Sequence, residues 1–121
     1  MPRLDHIELP VSDWRASRDW YRDMLGFAVE MEFPDGRTVG MRDDADLTVF
    51  LHQGAPPAPA AGLSFTIQVA DVDAKAAELA GRGVRFVHPP QKVYWGYGAE
   101  LVDPDGYRLR LWDEVSMKQK G

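Results

Sequence analysis

The sequence of 121 residues contains no cysteine and no excess of basic residues. The absence of cysteine excludes disulfides, thiolate metal ligands and thiol nucleophiles. Fourteen Lys and Arg against nineteen Asp and Glu give a net charge of −5, so the chain lacks the basic character that nucleic-acid binding requires. No stretch approaches the roughly 18 apolar residues of a membrane-spanning helix, and the first residues do not form a signal peptide. We therefore expect a cytoplasmic protein with neither a nucleic-acid nor a membrane partner.

The length and composition are those of a single folded domain. Hydrophobic residues make up 45% of the chain and charged residues 27%, which is typical of a globular protein. A chain of this length buries roughly two thirds of its unfolded surface. We expect one domain covering residues 1–121.

A pattern at the start of the chain is repeated about 58 residues later. Residues 6–13 and residues 64–71 are both alternating apolar runs that end at an Asp. Each run is followed by a helical pattern and then by a turn that contains glycine. The repetition predicts two copies of one strand–helix–strand–strand–strand unit. The copies differ at their first residue, which is His6 in one and Ser64 in the other.

The first module covers about residues 3–53. Ser12 or Asp13 is placed to cap a helix, because a side-chain oxygen there accepts from the first free backbone N–H groups. Gly26 is placed to end that helix. The predicted buried stripe of the helix is Ala16, Trp20, Tyr21 and Met24. The predicted strands are residues 4–11, 27–33, 37–42 and 46–52, with a turn at residues 34–36.

A Pro- and Ala-rich linker, residues 54–61, is predicted to join this module to a second one at about residues 62–114. The second module has predicted strands at residues 63–69, 84–87, 94–102 and 107–112, with a turn at residues 103–106. Its helical stripe is Val72, Ala76, Leu79 and Ala80. His88, before two prolines, is interpreted as a turn residue. Residues 115–121 are predicted to be a polar, frayed tail.

The motifs together resemble the vicinal oxygen chelate superfamily, which includes glyoxalase I, bleomycin-resistance proteins, extradiol dioxygenases and fosfomycin-resistance enzymes. The resemblance covers nearly the whole chain. The sequences that support it are LDHIELPVSD at 4–13, WY at 20–21, LGF at 25–27, VADVDA at 69–74 and DPDGYRLRLW at 103–112. It implies an α+β fold in which two βαβββ modules pair into a curved, eight-stranded mixed sheet around a cavity. It also implies a homodimer, swapped or unswapped.

Metal-dependent members of this superfamily place His and Glu ligands at four positions on the inward faces of the strands. By that resemblance the positions here are His6, Phe50, Ser64 and Arg110, so one ligand of the usual type is retained. Phe50 offers no donor, Ser64 offers a weak neutral hydroxyl, and the guanidinium of Arg110 stays protonated. A fixed positive charge beside a dication is repulsive. We therefore expect no metal cofactor.

A displaced metal site is the alternative that keeps a metal such as Zn, Ni, Mn or Fe. His52 lies two residues beyond Phe50, and Glu8 lies two residues beyond His6. Two residues along a strand span nearly 7 Å, so these donors would have to converge from different depths. This alternative corresponds to a divalent-metal-dependent lyase or dioxygenase of the glyoxalase type with non-standard ligands.

The main hypothesis is metal-independent binding of a small aromatic or anionic molecule in the sheet cavity, as in the bleomycin-resistance branch. Arg110 would hold an anionic group and aromatic rings would hold a planar guest. No nucleophile–base pair is evident, so no catalytic residue is assigned and whether the protein is an enzyme stays open. The predicted ligand contacts are His6, Glu8, Phe50, His52, Ser64, Tyr94, Trp95, Arg110 and Trp112.

Three alternative interpretations without a ligand role stay open. Arg110 could form an internal salt bridge with Glu8 across the sheet, which is compatible with ligand binding if Glu8 positions the guanidinium. The whole fold could instead serve as an interaction module with a filled cavity. The aromatic stretch at residues 94–98 could likewise cover the neighbouring module or a second subunit.

Overall fold

Each half of the sequence folds into the same strand–helix–strand–strand–strand unit. The structure is a computed structural model that describes residues 2–56 and 63–121. The chain divides into two compact units, Met1–Ala58 and Pro59–Gly121. Residues 57–61 of the predicted linker lie outside the described residues. Among the described residues, no helix has the length and apolarity that crossing a membrane requires.

The first unit is a four-stranded mixed sheet with one helix. Its strand order is β1-β4-β3-β2, with β1 parallel to β4 and the other pairs antiparallel. The sheet buries one face against the helix through residues that alternate along the strands, such as Leu9, Val11, Val39 and Leu51. The elements are β1 (His6–Val11), α1 (Trp14–Leu25), β2 (Ala28–Phe33), β3 (Thr38–Arg42) and β4 (Thr48–Gln53).

Helix α1 begins and ends where the sequence predicts, but its buried stripe is different. Asp13 accepts hydrogen bonds from the backbone N–H groups of Arg15 and Ala16, and Gly26 ends the helix in the left-handed conformation. The residues buried are Trp14, Ser17 and Tyr21, whereas the predicted Ala16 is exposed and Trp20 and Met24 are partly exposed. Of the predicted stripe, Tyr21 is confirmed, whereas the other three positions are wrong because the buried face runs through Trp14 and the polar Ser17.

The second unit repeats the topology, with strand order β5-β8-β7-β6 and β5 parallel to β8. This identical connection confirms the two βαβββ modules and the α+β class. Helix α2 buries Val72, Ala76 and Leu79, and the predicted Ala80 is exposed. The elements are β5 (Ser64–Gln68), α2 (Val72–Gly81), β6 (Phe86–Val93), β7 (Gly96–Val102), β8 (Arg108–Trp112) and α3 (Glu114–Lys120).

Three predictions for this unit are wrong. Strand β6 continues through His88, Pro89 and Pro90, because an edge strand with shifted register tolerates residues that donate no ladder hydrogen bond. Tyr94 and Trp95 form the turn between β6 and β7 and are not part of a strand. The predicted frayed tail is helix α3 over most of its length.

Helix α3 forms because Asp113 caps it while also holding the start of α2. Oδ1 of Asp113 accepts from the N–H of Ser116 at 2.7 Å, and Oδ2 accepts from the N–H of Val72 at 2.7 Å. The residue is only 2% exposed. Burial raises the pKa of this carboxyl, but the N–H groups of Ser116 and Val72 outweigh burial and leave the pKa below its ordinary value.

We predict that Asp113→Asn lowers the free energy of unfolding by about 1–3 kcal/mol at pH 7, because one buried N–H then faces an amide NH₂. Since the folded pKa of Asp113 is depressed, its stabilisation is present above the unfolded pKa of about 3.9 and is lost as pH falls through the folded pKa. The stability difference between the two proteins should therefore shrink below about pH 4. Urea unfolding at pH 7 and at lower pH measures it. Asp44→Asn, at an exposed position, is the control, and an equal loss in both variants would contradict the prediction.

Candidate functional site

The strand residues predicted to contact a ligand lie on the sheet faces opposite helices α1 and α2. In the first unit, Leu9 and Leu51 point into the core, and Glu8 and Phe50 alternate with them on the opposite face. In the second unit, Arg110 alternates with the buried Leu109 and Leu111. Each unit therefore has one sheet face opposite its helix α1 or α2, called the first face in the first unit and the second face in the second unit. His6, Glu8, Phe50 and His52 belong to the first face, and Ser64, Arg110 and Trp112 belong to the second.

On the first face, His6 is oriented by a carboxylate and an aromatic ring. Its Nδ1 lies 2.9 Å from Oδ2 of Asp5, and its ring meets the ring of Phe50 edge-on at 4.9 Å between centroids. Because a carboxylate only accepts, Nδ1 must carry the proton. Nε2 of His6 is then the nitrogen left for a ligand. Asp5 is exposed, so the pair stays accessible to water.

His52 is oriented by a chain of two hydrogen bonds. The hydroxyl of Thr38 donates to the carbonyl of Gly36 at 2.8 Å, and its Oγ1 lies 2.7 Å from Nδ1 of His52. The hydroxyl has one proton, and the carbonyl takes it, so Nδ1 of His52 must donate to Oγ1. The neutral form of this histidine therefore also presents Nε2 as its free acceptor.

An apolar surface lies beside these histidines because Gly40 has no side chain. A Cβ at Gly40 would lie 3.1 Å from the Phe50 ring and 3.2 Å from Cγ of Met31. The absence of a side chain at Gly40 therefore lets the side chains of Phe50 and Met31 pack against the backbone of the sheet. Phe33, at the end of β2, is 50% exposed and adds apolar area.

The residues of the predicted displaced metal site, His6, Glu8 and His52, are spread along two paired strands, and the site stays a prediction. His6 lies opposite Thr48 and His52 lies opposite Pro10, with Phe50 between Thr48 and His52 on β4. Within each unit, the described residues contain no group of three His, Asp or Glu side chains that could hold a metal. His6, Glu8 and His52 thus share a face without converging on one point.

On the second face, one buried carboxylate holds two arginines. Oε1 of Glu100 lies 3.4 Å from Nε of Arg110, and Oε2 lies 3.4 Å from Nη1 of Arg108. The Glu100 side chain is 9% exposed. Two guanidinium groups and one carboxylate leave one positive charge in excess. Of the two positions, Arg110 is the more buried and Arg108 the more exposed.

Aromatic rings surround the other side of Arg110. Its Nη2 donates to the hydroxyl of Tyr94 at 2.8 Å, and its guanidinium carbon lies 5.5 Å from the Tyr94 ring centroid and 5.3 Å from that of Trp95. Such distances allow cation–π attraction. Trp95 lies directly over Gly98, where a Cβ would also meet the carbonyl of Leu111. Glycine at 98 is therefore required for this arrangement.

Arg110 has a carboxylate partner in its own unit, Glu100, which the sequence analysis missed. The predicted alternative partner, Glu8, belongs to the other unit, and that pair stays a prediction. Arg108 was missed as well. The sequence contained the information needed to find Glu100. A hairpin centred on Asp105 pairs residues at equal distances before and after it, so Glu100 lies opposite Arg110.

Ser64 and Trp112 occupy the same face without a specific contact to Arg110. Ser64 lies opposite Arg108, and Trp112 lies opposite Gln68 and is partly exposed. Ser64 places a neutral hydroxyl at the edge of the arginine pair. Both residues are therefore available to a ligand on this face, and their role stays a prediction.

A separate groove of about 480 Å³ lies between α2 and β6 in the second unit. Its lining is mostly apolar, with Asp73 and His88 as the polar members. None of the nine predicted ligand contacts lines it, and it offers no cationic group. The candidate site is therefore the second face, which carries Arg108 and Arg110, and not this groove. The residues lining the groove are Asp73, Ala76, Ala77, Ala80 and 86–90.

The residues at the four metal-ligand positions implied by the resemblance do not fit a divalent cation. At position 50, a phenyl ring packs against His6 and supplies no donor. At position 110, the positively charged guanidinium pairs with Glu100 and donates a hydrogen bond to Tyr94. His6 is the only residue of the four with a nitrogen ligand of the usual kind, and one imidazole is far from the coordination that such ions need.

Comparison with known proteins gives one family and many similar structures. No curated protein matches the sequence. The structure resembles that of TnmS3, an antibiotic binding protein from Streptomyces sp. CB03234, with 30% identity, a TM-score of 0.78, and 93% of this chain and 96% of that chain covered.

Two further similar structures extend the comparison. A glyoxalase/bleomycin resistance protein/dioxygenase superfamily member from Sphaerobacter thermophilus DSM 20745 has 25% identity and a TM-score of 0.75, covering 94% of this chain and 98% of that chain. An integron cassette protein from the mobile metagenome of Halifax Harbour sewage outfall shares the fold at 19% identity and a TM-score of 0.77, covering 92% and 97%. The sequence model of the glyoxalase/bleomycin resistance protein/dioxygenase superfamily matches residues 3–111. The chain therefore belongs to the glyoxalase/bleomycin resistance protein/dioxygenase superfamily.

Proposed function

We propose that this protein binds a small aromatic anion at Arg110 without the help of a metal. The observation that carries the proposal is the unbalanced charge of the second face, where Arg108 and Arg110 share the single carboxylate of Glu100. A guanidinium that is partly withdrawn from water and already oriented binds a carboxylate or phosphate well, because little further ordering is needed.

The geometry of Arg110 leaves hydrogen-bond donors for such a guest. Its Nε is directed to Glu100 and its Nη2 to Tyr94, while Nη1 has no partner among the described residues. Within residues 2–56 and 63–121, the side chain of Arg108 donates through Nη1 alone, to Glu100. Tyr94 and Trp95 add ring faces beside the charge, and Tyr94 is 89% exposed. This combination favours a ligand that is both planar and anionic.

The similarity to an antibiotic binding protein at 30% identity supports a natural product of this kind as the guest. The residues of the first face that remain predicted to contribute to binding are His6, Glu8, Phe50 and His52. The Nε2 atoms of the two histidines and the apolar surface of Phe50 suit an aromatic molecule. The homodimer and the cytoplasmic location remain predictions.

We predict that 2-naphthoate binds more tightly than its neutral analogue 2-naphthalenemethanol, and that Arg110→Gln removes this preference. Loss of a charge-assisted hydrogen bond costs about 1.5–3 kcal/mol, so the naphthoate affinity should fall roughly 10- to 150-fold. The affinity of the alcohol should change little. Isothermal titration calorimetry at low salt measures both, and added salt should weaken only the naphthoate complex.

The matched control is Arg82→Gln, which removes the same charge from the end of α2, where Arg82 pairs with Glu78. It should leave both affinities unchanged. Equal binding of acid and alcohol by the wild-type protein, or an equal loss in the two arginine variants, would contradict the proposal. Thermal unfolding of each variant confirms that the fold is retained.

The metal-dependent alternative has one observation in its favour, the carboxylate of Asp5 on Nδ1 of His6, since metal-binding histidines commonly have such a partner. We predict less than stoichiometric transition metal in protein purified without chelator, and naphthoate affinity unchanged by EDTA. Elemental analysis of wild type and His6→Ala tests this. One equivalent of Zn, Ni, Mn or Fe that is lost in His6→Ala would favour the metalloenzyme.

A further inference from the structure

We infer that the C-terminal helix α3 is a positioning element for the ligand site, and that Met117 sets the affinity for an aromatic anion although it does not touch Arg110. This inference rests on the proposed function. Its basis is the contact between α3 and the start of β7, directly after the Tyr94–Trp95 turn that flanks the guanidinium.

The main contact is made by the thioether of Met117. Its Sδ accepts from the backbone N–H of Tyr97 at 3.4 Å, and it occupies the space where a Cβ at Gly96 would lie. Gly96 has a φ of +130°, which only glycine adopts easily. The backbone that follows Trp95 is therefore shaped to receive Met117, and the two fit together closely.

A second contact fixes the same strand from the side. The hydroxyl of Tyr97 donates to Oδ1 of Asp73 at 2.8 Å, and Nζ of Lys120 lies 3.4 Å from Oδ2 of the same carboxylate and 4.9 Å from the Tyr97 ring centroid. Asp73 lies in the first turn of α2. Helix α3, strand β7 and helix α2 thus meet at Tyr97, two residues after Trp95.

The described residues give helix α3 few other stabilising contacts. It has seven residues, none of them buried, and too few turns to be stable alone. Its order comes from the Asp113 cap and from the Met117 and Lys120 contacts. Because these contacts hold Gly96 and Tyr97, they restrain the two-residue turn whose hydroxyl and indole orient Arg110. Oriented donors bind more tightly than mobile ones, since less freedom is lost on binding.

The test compares Met117→Ala with Lys118→Ala, a neighbour on the same helix whose side chain is 75% exposed and pairs with Glu114. We expect Met117→Ala to weaken 2-naphthoate binding roughly 3- to 10-fold, a smaller loss than for Arg110→Gln, because the guanidinium stays but its support loosens. Lys118→Ala should bind like the wild type. Affinity for 2-naphthalenemethanol should also fall in Met117→Ala, since the indole moves too.

A readout without ligand separates this inference from the proposed function. In Met117→Ala, amide hydrogen exchange at Tyr97 should accelerate, and the NMR signal of the Trp95 indole N–H should shift, while the global melting temperature stays near that of the wild type. Unchanged exchange and an unchanged indole signal would overturn the inference. Wild-type protein that does not bind naphthoate would overturn the proposed function, and these ligand-free signals would still decide the role of α3.

Discussion

The buried carboxylate of Glu100 is the feature on which the second sheet face depends. A carboxylate taken out of water is costly unless cations and hydrogen bonds replace the lost hydration. Arg108 and Arg110 supply them from the neighbouring strand, at the positions that the β7–β8 register dictates. In turn, Glu100 keeps two like charges close together. Without it, the two guanidinium groups would repel each other, and the rings of Tyr94 and Trp95 would have no fixed cation beside them.

The two units show how one backbone plan supports different chemistry. Both have the same strand order and the same parallel pairing of first and last strands. In both, the sheet is buried on the helix side mainly through aliphatic residues such as Leu51 and Leu109, whereas the opposite face carries polar and aromatic residues. The first unit places Phe50 beside His6 on that face, whereas the second places Arg110 among Glu100, Tyr94 and Trp95. The proposed function therefore depends on the alternate strand residues that point away from the hydrophobic core.

Much of the fold could be predicted from local signals, because those signals have local causes. Strand alternation, the Asp13 cap and the Gly26 terminus each depend on a few neighbouring residues. The errors arise where tertiary contacts decide. The buried face of α1 includes the polar Ser17, so a prediction based on apolar residues alone assigns the wrong residues to that face.

The short helix α3 could not be predicted from its polar sequence, since the contacts that stabilise it besides the Asp113 cap come from Gly96, Tyr97 and Asp73, far away in the chain. The site residues follow the same division. Arg110 could be found from its position in the family motif, and its face follows from strand alternation. Its partner Glu100 required the hairpin register, and the turn position of Tyr94 required knowing where β6 ends.

An arginine in place of an acidic metal ligand changes what the site can do. A divalent ion can polarise a substrate strongly but depends on its donors being deprotonated. A guanidinium stays charged at any ordinary pH and presents fixed N–H groups in one plane. Arg110, held by Glu100 on one side and Tyr94 on another, suits recognition of an anion more than activation of one. In the proposed function, Arg110 thus provides an anion site at a position where the resemblance to the superfamily places an acidic metal ligand.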